Sequence, residues 1–145
     1  MVSQSRIILL IEDDGDHAEL AEFYIKEYDA NIDVVRISDG AEALQYIGQI
    51  RKKILPAPWI VLLDLKLPKY DGHEILTEFK SDNFLKRIPV IIFSTSNSIK
   101  DITKAVTSGC NSYIVKPMEP DSYGLIFPKI ISYWELCQHH LLADS

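Results

Sequence analysis

Four apolar runs in this sequence each end on a residue that can handle phosphate. Residues 7–11 lead into Glu12, Asp13 and Asp14; residues 59–63 into Asp64; residues 89–93 into Ser94; residues 113–115 into Lys116. Two carboxylates about 4 Å apart repel by about 4 kcal/mol at an effective dielectric of roughly 20. Such a pair either takes up a proton or holds a cation, and an all-oxygen set suits a hard divalent ion, Mg²⁺ or Mn²⁺. A carboxylate beside that ion is a competent nucleophile toward phosphorus. Phosphoryl transfer then needs its equatorial oxygens neutralised, which the ion, the Lys116 ammonium and the Ser94 hydroxyl would share. Each group also has a simpler use. Asp14 or Asp16 could cap a helix with Asp13 merely solvated, Asp64 could form a turn before Leu67-Pro68, Ser94 could cap a helix, and Lys116 could be a surface amine. Their joint arrival at the ends of four runs favours one site.

The elements that would bring them together are legible in the same runs. Continuous apolar stretches of this length read as strands buried on both faces, the mark of a parallel sheet covered by helices, whose ligand crevice lies outside the strands' carboxyl ends. Residues 32–37 read as a further, edge strand. Between the strands the spacing is helical: Leu20, Phe23, Tyr24, Ile25 and Tyr28 after an N-cap at Asp16; Ala43, Leu44, Ile47 and Ile50 after Asp39-Gly40, stopped at residues 55–58 by two prolines; Ile75, Leu76 and Phe79; Ile99, Ile102 and Val106 between Asn97 or Ser98 and Gly109; and Tyr123 through Leu141. Alternation of strand and helix gives an α/β fold, (βα)5, doubly wound, with strand order 2-1-3-4-5 and right-handed crossovers. Pro128 inside the last helical pattern, four residues after Gly124, predicts a kink near residues 124–128 or a helix that becomes regular only at Pro128.

Composition narrows the class. The 145 residues fit a single domain, 1–145 with its core at about 6–138 and a short tail. A formal charge of −6 without a basic patch speaks against nucleic acid, and Arg51-Lys52-Lys53 reads as a solvated helix end. No stretch is long enough to span a membrane and no signal peptide is visible, so the expected location is cytoplasmic. Cys110 and Cys137 lack metal-site or disulfide spacing and read as packed thiols. His17, His73, His139 and His140 lack ligand partners at useful spacing and are expected at the surface.

The motifs I-E-D-D, L-L-D-L-K-L-P-K-Y-D-G, F-S-T-S and S-Y-I-V-K-P resemble those of the receiver domain of two-component response regulators, whose fold is flavodoxin-like. The resemblance implies that Asp64 is the phosphoacceptor, Asp13 the direct metal ligand, Glu12 an acid acting through water, and the Lys66 carbonyl the remaining protein ligand. It implies that Ser94 is the switch hydroxyl, Lys116 the phosphate-pairing amine, and Tyr113 the aromatic residue that swings inward with that hydroxyl. The Lys116-Pro117 bond resembles one that is often cis in the family. The loop of residues 65–72, the Ser94-Thr95-Ser96 run and the long last helix are similar to stand-alone receivers that partner bacterial phytochromes.

The expected function is therefore a phosphorelay switch, not an enzyme: a sensor histidine kinase, in the finer resemblance a bacterial phytochrome, phosphorylates Asp64, and the charge biases a two-state equilibrium. The stretch after Lys116 fits one helix and a tail, so output is expected through a partner or a homodimer. Tyr123, Phe127, Trp134 and Leu141 exceed one buried stripe and mark the last helix as the dimer face. Lys66 and Ser96 flank the path of an attacking water and are expected to set the lifetime of the phosphorylated state. Three other readings stand beside this one: a docking module with a vestigial acidic site; an aspartate-nucleophile phosphatase, which the lysine at position 66 disfavours because a second general acid is missing there; and a flavodoxin-type cofactor protein, which lacks its phosphate loop.

Overall fold

Within each buried strand the side chains divide by the two-residue period of extended backbone, hidden in the sequence because both faces are apolar. The computed structural model describes residues 6–137. Its strands are β1 (Ile7–Ile11), β2 (Asp33–Ile37), β3 (Ile60–Leu63), β4 (Val90–Ser94) and β5 (Ser112–Val115). All pair in parallel, in the order β2-β1-β3-β4-β5. Ile8, Leu10, Ile60, Leu62, Ile91 and Phe93 face one core, and Leu9, Ile11, Val61, Leu63, Val90 and Ile92 face the other.

The first core is closed by α1 (Gly15–Tyr28) and α5 (Tyr123–Leu136), the second by α2 (Gly40–Arg51), α3 (Gly72–Ser81) and α4 (Ile99–Thr107). The predicted sheet order and the five helices are both present. Full burial of each Ile, Leu or Phe contributes about 1.5–3 kcal/mol, so the two layers supply most of the drive for folding. The caps expected at Asp39 and Ser98 are present, and Asp71 caps α3; each side chain accepts a first-turn amide N–H. Gly109, at φ +97°, follows α4 where the stop was expected.

Several expectations are corrected. Asp14, not Asp16, caps α1: its carboxylate accepts from the Asp16 and His17 N–H groups. The buried stripe of α1 is Ala18, Ala21 and Ile25, with Phe23 turned to solvent. Helix α2 closes at Arg51, before the prolines, because Lys53 adopts a left-handed φ of 60°. β5 is only half-buried, as befits the sheet edge opposite β2. Beside that edge α4 buries only Ala105, and the apolar Ile99 is 81% exposed.

Pro128 lies inside α5, which is already helical at Tyr123 and continues through it to Leu136, so the helix does not wait for Pro128 to become regular. The proline has no N–H to donate to the Gly124 carbonyl, so the helix lacks that one bond. Gly124 itself lets α5 approach α1, because a Cβ there would meet the Tyr24 ring at 2.9 Å. Tyr123 and Phe127 are core residues rather than a dimer surplus; the exposed apolar residues of α5 are Leu125, Tyr133 and Leu136. Leu141, His139 and His140 lie outside the described residues. Both described cysteines are unbridged and partly buried. Among the described residues no helix is long and apolar enough to cross a membrane.

Candidate functional site

Parallel strands deliver their carboxyl ends to one rim, and four of the five end on the predicted residues. At the end of β1 the Glu12 N–H donates to the Ile37 carbonyl at 2.9 Å, which extends the ladder by one residue and pulls the Glu12 side chain inside. Asp13 follows in the open. Arg36 of β2 clamps this turn by donating to the Glu12 and Asp13 carbonyls, each at 3.3 Å. At the end of β3 the Asp64 N–H donates to the Ile11 carbonyl at 3.0 Å, and the Lys66 N–H donates to Asp64 Oδ1 at 3.2 Å. Gly72 closes that loop against the strand: a Cβ there would lie 2.5 Å from both the Asp64 carbonyl oxygen and Leu65 Cα. Ser94 is fully buried at the end of β4, and its Oγ accepts from the Ser96 N–H at 3.2 Å.

Lys116 joins these ends. Its N–H donates to the Ser94 carbonyl at 2.8 Å, and its side chain, 2% exposed, runs back under the rim. Its Nζ lies 2.5 Å from Glu12 Oε1, 2.9 Å from Asp64 Oδ2 and 2.9 Å from His17 Nδ1. No cis peptide bond occurs among the described residues, so the Lys116-Pro117 bond is trans, unlike the form the resemblance implied.

Acidic charge predominates here. Burial pushes the Glu12 carboxyl up to about 7, Asp64 adds to the rise, and Lys116 only partly offsets it. Burial also works against the Lys116 charge, but the hydrogen bonds and charges of Glu12 and Asp64 outweigh it and hold the ammonium above its ordinary range. Oxygen atoms of Glu12, Asp13 and Asp64 lie within 4.8 Å of one another. Three carboxylates facing one ammonium leave an excess of negative charge, and that oxygen donor set fits a hard divalent cation.

A second polar cluster borders the rim. The Tyr113 hydroxyl donates to the Ser96 carbonyl at 2.7 Å, with the ring packed on the core side of β5. Ser96 Oγ donates to Asp101 Oδ2 at 2.6 Å, and His73 Nε2 lies 3.2 Å from Asp101 Oδ1. His73 is buried, against the expectation of a surface residue, and its Nδ1 has no hydrogen-bond partner. His17 is likewise no bystander, given its contact with Lys116. Arg36, His17, His73 and Asp101 were missed because each contact joins elements far apart in the chain.

Comparison with known proteins places this geometry. The model of the response regulator receiver domain matches residues 8–123. The chain belongs to that family. Among curated relatives of this receiver, a probable methanogenesis regulatory protein, FilR2, of Methanothrix harundinacea is 36% identical over 88% of the chain and 83% of the relative. The response regulator Rcp1 of Synechocystis is 32% identical over 89% of the chain and 88% of the relative. The structure of Rcp1 described as its Mn(2+)-bound form superposes with a TM-score of 0.85 at 31% identity, covering 93% of this chain and 99% of that one. A structure described as the phosphorylated cyanobacterial phytochrome response regulator RcpA has a TM-score of 0.85 at 35% identity, covering 92% and 96%. The fold matches theirs across nearly the whole length of this receiver.

Proposed function

We propose that this receiver is a cytoplasmic switch that takes a phosphoryl group from the histidine of a sensor kinase onto Asp64. The observation that carries the reading is the meeting of Asp64 Oδ2 with the Lys116 ammonium at 2.9 Å, beside the Glu12–Asp13–Asp64 oxygen cluster. Asp13, Asp64, the Lys66 carbonyl and, through water, Glu12 would hold Mg²⁺ or Mn²⁺, which supplies charge neutralisation to the transferring group. Asp64 presents the attacking oxygen: a new O–P bond forms there as the bond from phosphorus to the kinase imidazole breaks, leaving an aspartyl phosphate. Lys116 exchanges a carboxylate for a phosphoryl oxygen, and the Ser94 hydroxyl turns toward another. Movement of Ser94 disturbs the Ser96 N–H that it now accepts, and through Ser96 the Tyr113 hydroxyl. That couples the new charge to α4 and β5.

The chain acts as an acceptor, not as a turnover enzyme, because no second general acid stands two residues after Asp64, where the sequence has Lys66. Likeness to the phytochrome response regulator RcpA favours a phytochrome kinase as donor. Exposed Leu125, Tyr133 and Leu136 on α5 favour a homodimer through the C-terminal helix. Transfer of label from a panel of purified kinases, phytochrome and non-photosensory, tests the donor. Stoichiometric labelling of the wild type and none of D64N supports the reading. Labelling that persists in D64N contradicts it. A monomer by sedimentation at high concentration, with and without a phosphoryl mimic, removes the homodimer.

A further inference from the structure

The Lys116 ammonium has three N–H bonds and three partners, and only two of those partners are carboxylates. The third is His17 Nδ1, on the first turn of α1 and 99 residues away in sequence. An ammonium has no lone pair, so Nδ1 must be the acceptor and carries no proton in this arrangement. The imidazole is partly exposed at the rim, with Asp14 Oδ2 at 3.7 Å from Nδ1 and the Tyr123 ring at 6.5 Å between centroids.

A divalent cation and the Lys116 ammonium would draw on the same two carboxylates, those of Glu12 and Asp64. When the cation takes them, the buried ammonium must turn its N–H bonds elsewhere, and an unpaired buried charge is costly. His17 Nδ1 is a neutral acceptor already in place. Being neutral, it holds the ammonium without trapping it as a third carboxylate would.

We propose that His17 is a positioning residue for phosphoryl capture: its Nδ1 holds the Lys116 ammonium while Glu12 and Asp64 turn to the cation, and keeps that ammonium aimed at the incoming phosphoryl oxygens. The inference rests on Asp64 being the acceptor.

The test compares the full chain as wild type, H17L, which removes the acceptor, and H17Q, whose amide oxygen restores one. Three quantities are read: Mg²⁺ affinity by calorimetry with the metal alone, the rate of phosphorylation by acetyl phosphate at saturating Mg²⁺, and the ¹⁵N resonance of the Lys116 ammonium in the metal-free protein. Loss of a hydrogen bond to a charged group predicts, for H17L, Mg²⁺ binding and phosphorylation each weakened about tenfold, with a displaced Lys116 resonance. H17Q stays within about threefold of wild type on the same ground. H17F replaces H17L if the latter does not fold. Equal metal affinity and rate in wild type and H17L, or an H17Q as impaired as H17L, overturns the inference alone. No labelling of the wild type overturns it together with the acceptor role of Asp64.

Discussion

Removing Asp101 should destabilise the protein far more than removing the histidine it holds. Asp101 is ionised, its carboxyl held below the ordinary range by the Ser96 hydroxyl and then by His73. A carboxylate only accepts, so His73 Nε2 carries the proton in the 3.2 Å bond. The imidazole side chain is 6% exposed and that of Asp101 34% exposed, so their burden is unequal. In D101A the His73 ring stays buried with both nitrogens unpaired, which costs about 1–3 kcal/mol, and Ser96 Oγ turns to water. The better helix propensity of alanine and the lost carboxylate in the first turn of α4 roughly cancel, at about 0.5 kcal/mol each. In H73L the bond is lost, but so is the unpaired Nδ1, and the leucine fills the site; the net change is within about 1 kcal/mol of zero. Urea denaturation of the two single variants and the double variant should give D101A a loss of about 2 kcal/mol, a melting point lower by roughly 6–8 °C. The double variant should be less damaged than the sum, with a coupling of about 1–2 kcal/mol. If H73L costs as much as D101A and the two losses add, the pair does not work as described.

Four further outcomes follow from the same contacts. K116M removes the ammonium that competes for Glu12 and Asp64, so metal titration should show tighter Mg²⁺ binding even as labelling by acetyl phosphate slows. G72A forces a methyl onto the Asp64–Leu65 backbone, and denaturation should show a loss of about 1–3 kcal/mol together with slower labelling. F127A opens a cavity between α5 and the sheet and should cost about 3–5 kcal/mol by the same assay. Burial pushes the Lys80 ammonium down to about 8 from 10.5. The unfolded chain therefore binds the extra proton between those values, so stability rises with pH across the window and falls as pH drops toward 8; K80M should flatten the slope measured by denaturation at successive pH values.

The sheet and its rim were legible because their physics is local. A run such as residues 60–63, apolar throughout and rich in β-branched residues, suits a doubly buried strand, and the carboxyl end of such a strand carries the next residue, Asp64, to the crevice. What escaped depended on partners remote in the chain or on position within the sheet. His17 and His73 read as surface residues because nothing near them in sequence foretells Lys116 or Asp101, 99 and 28 residues away. Ile99, Ile102 and Val106 have core spacing, yet α4 lies against the edge strand β5 and buries only Ala105. Pro128 could be read as the point from which the last helix becomes regular, whereas α5 runs from Tyr123 through it to Leu136.

On this reading Asp64 accepts the phosphoryl group, and Lys116 and the acidic cluster serve it. Incubation of the wild-type chain with acetyl phosphate and Mg²⁺, followed by peptide mapping of the acyl phosphate by mass spectrometry, tests this most directly. One phosphoryl group is expected, on Asp64, and none when Mg²⁺ is chelated before acetyl phosphate is added. A phosphoryl group on another residue, or equal labelling with the metal removed, would contradict it.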